Sequence, residues 1–531
     1  MGRVDCLASR LAVMGLLVGS LVQAGWAATP AAPAVASPSA TRQADAGVAL
    51  VVAEGVVLRS APRASAQALA TLAPGELLEV RGERLDWLQV WDHRRERGGF
   101  VRAGQLRRTA LAVDEAPELL ALLRFVQGTP GSEALGIGLA AAWLKAAPAA
   151  QVQGAQGAEV LDALGGMAQR LARRASAEPG AAPSTQAASK PQAALSAQLD
   201  VAARYGVGFR SVEEGERIRV CYDGDAFARV MAMPQASASQ RARAALALTD
   251  AACADPALRP HEQAQAALAR AEVLEGIQTA GLRAWEKNRI HLRRAGAWSA
   301  VAWHRGRAGQ LAQDADAAQR GAQDAALRAL AELASVQREE LLEEDATAHN
   351  DATMQVNAIR WAALPAVAAT GERPHVLTQA GEPGQTCVLL VDAKNDASRP
   401  LARRCTYAQV WPQSASLNRE GNALALAVQP LQAWRELWLF RRQGGAWTVE
   451  VLPPAAGGPG LGYAEFAGWV PGGKEVLVAR EARADGRYRR SYEVVSLDSL
   501  VTLRQAPDPQ ALGPFQRWQD VGWKRMSVSG R

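Results

Sequence analysis

The side chains that could do chemistry in this chain are few and scattered. There are six histidines, His93, His261, His291, His304, His349 and His375. A metalloprotease helix needs two histidines four apart with a glutamate beside the first, so that both rings reach one zinc ion. His261 is followed by Glu262, but position 265 is Gln. The G-x-S-x-G turn that exposes a nucleophilic serine in α/β hydrolases does not occur. Zinc sites space their ligands as C-x-x-C or set histidines close by. Cys221, Cys253, Cys387 and Cys405 have neither arrangement. These spacings point to no catalytic set, no metal and no cofactor.

Four further clusters have plainer accounts. Asp223-Gly224-Asp225 opens like a calcium loop, but the later oxygen ligands and the closing glutamate are missing. A cap in front of a helix over 226–233 fits it better. Glu339, Glu340, Glu343, Glu344 and Asp345 could pair for acid–base work. A solvated helix face near an N-terminus, where the dipole favours acids, is the expected role. Gly468 to Lys474 spells G-x-x-x-x-G-K, but Glu475 stands where a phosphate loop holds Mg²⁺ with Ser or Thr. Its glycines are read as a hairpin turn. Arg487, Arg489 and Arg490 with Tyr488 and Tyr492 make a small basic–aromatic patch. A net charge of +6 over 531 residues is thin for nucleic acid, which demands many phosphate contacts.

The elements that would position these residues follow from composition. The chain has 59 Lys+Arg against 53 Asp+Glu, and only six of the basic residues are lysine. With 49% hydrophobic residues it can bury several cores, and its length suits two to four domains of roughly 100–200 residues. A collagen, a coiled-coil rod, a disulfide miniprotein and a multispan membrane protein are excluded.

The amino terminus reads as an export address. Arg3 and Arg10 precede an apolar run from Leu11 to Val22, then small residues, the order of a secretory signal over residues 1–27. Twelve apolar residues are too few to cross a bilayer, which needs about 20. No membrane span is expected once the signal has gone, and Cys6 leaves with it. The destination is periplasmic or secreted. Four mature cysteines in an oxidising compartment imply two disulfides. Of three connectivities, Cys221–Cys253 with Cys387–Cys405 keeps each bridge inside one domain and is the expected one.

Residues 28–47 are Ala, Pro, Ser and Thr with little else, a flexible leader. A second such stretch, 175–196, carries Pro179, Pro183 and Pro191 and reads as a linker. Between them, residues 48–108 alternate short apolar runs with turn signals at Pro74-Gly75 and Gly98-Gly99. Here VVLRSAPRASAQALATLAPGELLEV, ERLDWLQVW and GGFVRAGQL resemble the bacterial SH3-like (SH3b) family. Arg59, Ser60, Pro62, Leu72, Gly75 and Val80 fall at its signature positions, with Phe100 in place of the common Trp and Ala61 in place of the common Gly. The resemblance implies a small β-barrel that binds cell-wall peptides or protein partners. It points to Trp87, Trp91 and Phe100 as groove residues, with Trp87 alternatively the barrel's core aromatic. The run His93 to Arg97 is read as a solvated hairpin tip.

Residues 114–174 show helical spacing without an ionisable cluster. Residues 197–364 form a longer helical array of about six helices, with tetratricopeptide-like packing open to it. Residues 375–531 are strand-rich and hold seven of the fifteen tryptophans. SLNREGNALALAVQ and GWVPGGKEVLVARE resemble the hairpins of Tol-type and WD-like propeller blades, which implies positive φ at Gly421 and Gly473. The fold class is thus multidomain α and β: an SH3-like barrel, a helical array and an antiparallel β region with blade-like hairpins. The function expected is that of a non-enzymatic binding or scaffold protein of the bacterial cell envelope, its partner a cell-wall peptide or an envelope protein. The alternative is a peptidoglycan hydrolase with an SH3-like targeting module, which would need a free cysteine where the four mature ones pair.

Overall fold

Alternating apolar residues build the first part as a sheet of seven strands: β1 (Val48–Val51), β2 (Val56–Arg59), β3 (Ala68–Leu72), β4 (Leu77–Arg84), β5 (Trp87–Asp92), β6 (Arg97–Arg102) and β7 (Leu106–Thr109). The structure is a computed structural model that describes residues 47–176, 189–214, 217–311, 315–365, 373–394, 396–456, 460–484 and 487–526. The signal at 1–27 and the leader, up to residue 46, lie outside the described residues. The strand order is β3-β2-β6-β5-β4-β1-β7, with antiparallel pairing throughout. Every second residue of a strand faces the same side. Val56, Leu58, Leu78, Val80, Leu88, Val90 and Val101 thereby close one core.

Helices α1 (Ala116–Val126), α2 (Glu133–Ala146), α3 (Ala149–Val152), α4 (Ala155–Ser176) and α5 (Ser189–Arg204) follow. The expected linker 175–196 is therefore shorter. Helix α4 reaches Ser176 and α5 starts at Ser189, while residues 177–188 lie outside the described residues. Pro191 does not prevent this, because in the first helical turn its missing N–H has no partner to lose. A second correction concerns the array. It is not wholly helical, since β8 (Phe209–Glu214) and β9 (Arg217–Tyr222) form a two-stranded hairpin within it. Val212, Ile218 and Val220 are β-branched and favour extended backbone. The remaining helices are α6 (Ala226–Ala232), α7 (Ala238–Leu248), α8 (Pro260–Glu275), α9 (Ala284–Leu311), α10 (Ala315–Ala334) and α11 (Ala346–Ile359). Asp225 is the N-cap residue of α6, as expected, although its side chain makes no capping bond. None of the described helices is long and apolar enough to cross a membrane.

The C-terminal part opens with β10 (His375–Ala380), β11 (Thr386–Val391) and β12 (Ala402–Thr406), a three-stranded antiparallel sheet. Strands β13 (Gln409–Leu417), β14 (Ala423–Leu431), β15 (Trp434–Gln443) and β16 (Ala446–Leu452) make one antiparallel meander. Strands β17 (Leu461–Val470), β18 (Glu475–Ala484), β19 (Arg487–Ser496) and β20 (Thr502–Ala506) make another. A short parallel contact, Trp434 with Gly462 and Arg435 with Tyr463, joins the two into one eight-stranded sheet. These pairings establish antiparallel meanders, not a closed ring. Gly421 and Gly473 do take positive φ, +70° and +66°, in the two hairpin turns. Helices α12 (Gly513–Trp518) and α13 (Val521–Met526) pack against β17–β19. There Phe515 and Trp523 meet Tyr492 edge-on at 5.6 and 6.2 Å.

The described residues form one compact unit, because neighbouring parts share cores. Leu50 of β1 lies in the core of α1, α2 and α4, and Trp411 and Ala427 of the β region lie in the core of α8–α11. Cys221–Cys253 and Cys387–Cys405 are at bonding distance, 1.98 and 1.95 Å between sulfurs. The pairing is the one expected from the sequence.

Candidate functional site

The three aromatic residues singled out from the sequence come together on one side of the β5–β6 hairpin. In β5, Leu88 and Val90 enter the core, so Trp87, Gln89 and Trp91 face the other way. Across the antiparallel pair, Trp87 stands opposite Arg102, Gln89 opposite Phe100 and Trp91 opposite Gly98. Directly opposed residues share a face. A row of Trp87, Gln89 and Trp91 thus lies beside a row of Arg102, Phe100 and Gly98. Gly98 lies close under Trp91: a Cβ there would lie 3.3 Å from the ring, a tight contact that the ring would have to ease by a few tenths of an ångström.

Trp87 is buried, yet it is not part of the SH3-like core, whose β5 members are Leu88 and Val90. The Arg102 guanidinium lies over its ring, 5.1 Å from the centroid, and pairs with Asp86 at 2.7 Å. Trp91 and Phe100 are half-buried and Gln89 is exposed. Over Trp91 lies the Arg81 guanidinium, 4.3 Å from the centroid. Arg81 also holds Glu79 at 3.0 Å, and His93 meets the same carboxylate at 2.6 Å. The Arg81 hydrogen bond, helped by His93, keeps Glu79 below the usual carboxylate range against a smaller desolvation effect. Leu85, in the β4–β5 turn, is 94% exposed and has φ +53°, a conformation leucine rarely adopts. The face therefore offers indole and phenyl surface beside two guanidiniums, a combination suited to a peptide with carboxylates.

Sequence reasoning missed Arg81 and Arg102. The signal lay in the alternation of ERLDWLQVW, which places Trp87 and Trp91 on one side, but cross-strand register decides which arginines cover them.

The hairpin tip is solvated as expected at His93, Arg94, Glu96 and Arg97, which are exposed, while Arg95 turns inward. Arg95 reaches back to Asp92 at 2.6 Å and Glu76 at 2.8 Å, both carboxylates being buried. Burial pushes Asp92 up, but the hydrogen bonds and charge of Arg95 outweigh it, and the group lies below its ordinary value. Arg204 of α5 stands 3.6 Å from Glu76, Arg94 pairs with Asp200 of α5 at 2.8 Å, and the Tyr205 hydroxyl donates to the Gly75 carbonyl at 2.8 Å. Gly75, at φ +89°, sits so close to α2 that a Cβ would come within 2.5 Å of the Ala134 carbonyl. The tip is a dock for the helical region.

The other sequence clusters are absorbed into structure. Glu344 and Asp345 pair with Arg289, while Glu339, Glu340 and Glu343 are exposed. Gly468 to Lys474 is the β17–β18 hairpin. Arg490 pairs with Glu481 at 2.5 Å, Tyr488 donates to the same carboxylate at 3.0 Å, and Tyr492 is core. Among the described residues, no three of His, Cys, Asp and Glu converge as metal ligands.

Residues 52–107 match the family model described as bacterial SH3 domain. This part of the chain is a bacterial SH3 domain, a binding module. No curated protein and no solved structure matches the chain.

Proposed function

We propose that this is an exported, non-enzymatic binding or scaffold protein of the bacterial cell envelope, periplasmic or secreted, whose SH3 domain engages a cell-wall peptide or an envelope protein. The single observation that carries the reading is the aromatic and arginine face of the SH3 domain, with Trp91, Phe100, Gln89, Arg81 and Arg102 on one side of β4–β6. Aromatic surface takes up apolar groups of an extended peptide, and guanidiniums pair with its carboxylates. Two cysteine pairs at bonding distance support an oxidising compartment. So does the signal-like run at the amino terminus.

The test incubates mature protein with purified peptidoglycan. Pull-down without solubilised fragments supports wall binding. Release of muropeptides replaces this reading with a hydrolase. No pull-down, together with capture of one envelope protein through the SH3 face, narrows the partner to protein.

A further inference from the structure

A cavity of about 610 Å³ lies in the helical region, away from the SH3 face. Its walls are the C-terminal turns of α4, the hairpin β9, the start of α6, the segment after α7, and α8. The Cys221–Cys253 bridge ties two of these walls together. Four arginines line it, Arg173, Arg210, Arg219 and Arg270.

The acids in the wall are engaged elsewhere than on Arg173 and Arg270. Asp250 accepts the Ala252 N–H at 3.1 Å and Asp255 accepts the Ala257 N–H at 2.9 Å, both as local caps. Asp223 stands 3.5 Å from Arg210, which also donates to the Cys253 carbonyl. Among the described residues, Arg173 and Arg270 make no hydrogen bond or ion pair. Behind them Arg293 of α9 donates to the Leu246 carbonyl at 3.1 Å, a neutral acceptor. Burial, then repulsion from Arg293, pulls Arg270 below the usual arginine value. Burial does the same to Arg293, with Asp250 opposing it and Arg173 adding to it. Guanidiniums held together against their own repulsion, beside an open cavity, are an arrangement that one bound anion relieves.

We infer that this cavity is a binding site for a small oxyanion-bearing molecule, its phosphate or carboxylate group held by Arg173 and Arg270 and its body against Tyr222 and Phe227. The volume falls within the range of small-molecule sites, about 300–1,000 Å³. Planar guanidiniums match phosphate and carboxylate oxygens two at a time. Tyr222 and Phe227 stand edge-on, 5.8 Å between centroids, and supply an apolar wall.

Calorimetric titration of the full mature chain tests this, with inorganic phosphate and citrate as separate probes in buffered sodium chloride near physiological strength. That salt screens non-specific attraction. The expected result is saturable binding of at least one probe, with a raised melting temperature. Phosphate alone or citrate alone identifies which oxyanion the site takes. The Arg173→Ala/Arg270→Gln variant should bind the same probe at least about tenfold more weakly, a loss of about 1.4 kcal/mol. In anion-free buffer this variant should melt no lower than wild type, because like charges have been removed. Arg173 is exposed, so Arg173→Ala alone keeps the fold and should still weaken binding. Failure of both probes to bind saturably, or equal affinity in the variants, overturns the assignment. Neither result bears on the SH3 face.

Discussion

Glu465 should be one of the most costly residues to replace in this protein. It lies on β17 between Arg360, just after α11, and Arg435 on β15, with side chains 2%, 2% and 0% exposed. Arg435 Nη2 stands 3.1 Å from Glu465 Oε1, and Arg360 pairs with the same oxygen. Arg435 also donates to the Asn357 carbonyl at 2.6 Å, and its guanidinium lies 5.3 Å from the Tyr463 ring centroid. Burial depresses Arg435 below the ordinary arginine value even with Glu465 beside it, and repulsion from Arg360 adds to this. One carboxylate therefore holds two desolvated cations at the seam of helical array and sheet. Glu465→Gln keeps the shape and removes the charge, leaving both guanidiniums buried and facing each other. Breaking a buried ion pair from one side costs about 3–5 kcal/mol. With a urea slope near the upper end of about 1–3 kcal/mol per molar, as a chain of this size requires, the midpoint should fall by roughly 1–2 M. Equilibrium urea unfolding followed by tryptophan fluorescence measures this. The triple change Arg360→Met, Glu465→Leu and Arg435→Met should come close to wild type, because well-packed apolar groups replace buried ions with little net loss. A loss below about 1 kcal/mol for Glu465→Gln alone would refute the view that this carboxylate holds the seam.

Three further outcomes are expected. Trp91→Ala should reduce peptidoglycan or partner capture without altering the melting temperature much, since Trp91 is half-buried and off the SH3 core. Trp87→Ala is the poorer probe, because Trp87 is buried and truncation costs about 3–5 kcal/mol of stability. Full capture by folded Trp91→Ala removes the face from the binding account. Non-reducing peptide mapping of exported protein should find Cys221–Cys253 and Cys387–Cys405. Replacing Cys221 and Cys253 by Ser, 32 residues apart, should cost about 3–4 kcal/mol by loop closure, and free thiols in exported material would contradict the compartment. Burial, with Arg270 adding to it, lowers His304 from 6.5 to about 4, beside the edge-on Trp303 ring at 4.9 Å. Its stability contribution is complete above pH 6.5 and is lost as pH falls toward 4, because the unfolded chain takes the proton first. His304→Gln should flatten that part of a melting-temperature profile, and an unchanged slope would assign it to other groups.

Much of the architecture was legible because it rests on local rules. Period-two alternation and turn glycines marked the SH3 strands, and the β13–β14 and β17–β18 hairpins carry Gly421 and Gly473 where positive φ was expected. The cysteine pairing followed from keeping bridges within domains. Alanine-rich composition hid the start of α5 inside a stretch read as linker, since alanine serves both a loose linker and a helix. The β8–β9 hairpin escaped because two short strands inside a helical stretch leave little periodic signal.

The aromatics of the candidate face were named from sequence through the SH3b resemblance, and strand alternation accounts for Trp87 and Trp91 sharing a side. The arginine covers could not be named in this way, since register sets which residues oppose one another. The same division holds for the whole protein. The sequence determined the SH3 domain, the helical and strand-rich regions and the cysteine pairs, all encoded by spacing along the chain. Tertiary structure alone decided that Arg94 and Glu76 meet Asp200 and Arg204 where the SH3 domain docks, that Glu465 bridges two buried arginines, and that Arg173 and Arg270 share a cavity. Those outcomes depend on charges brought together from distant positions, and spacing along a chain carries no record of such meetings.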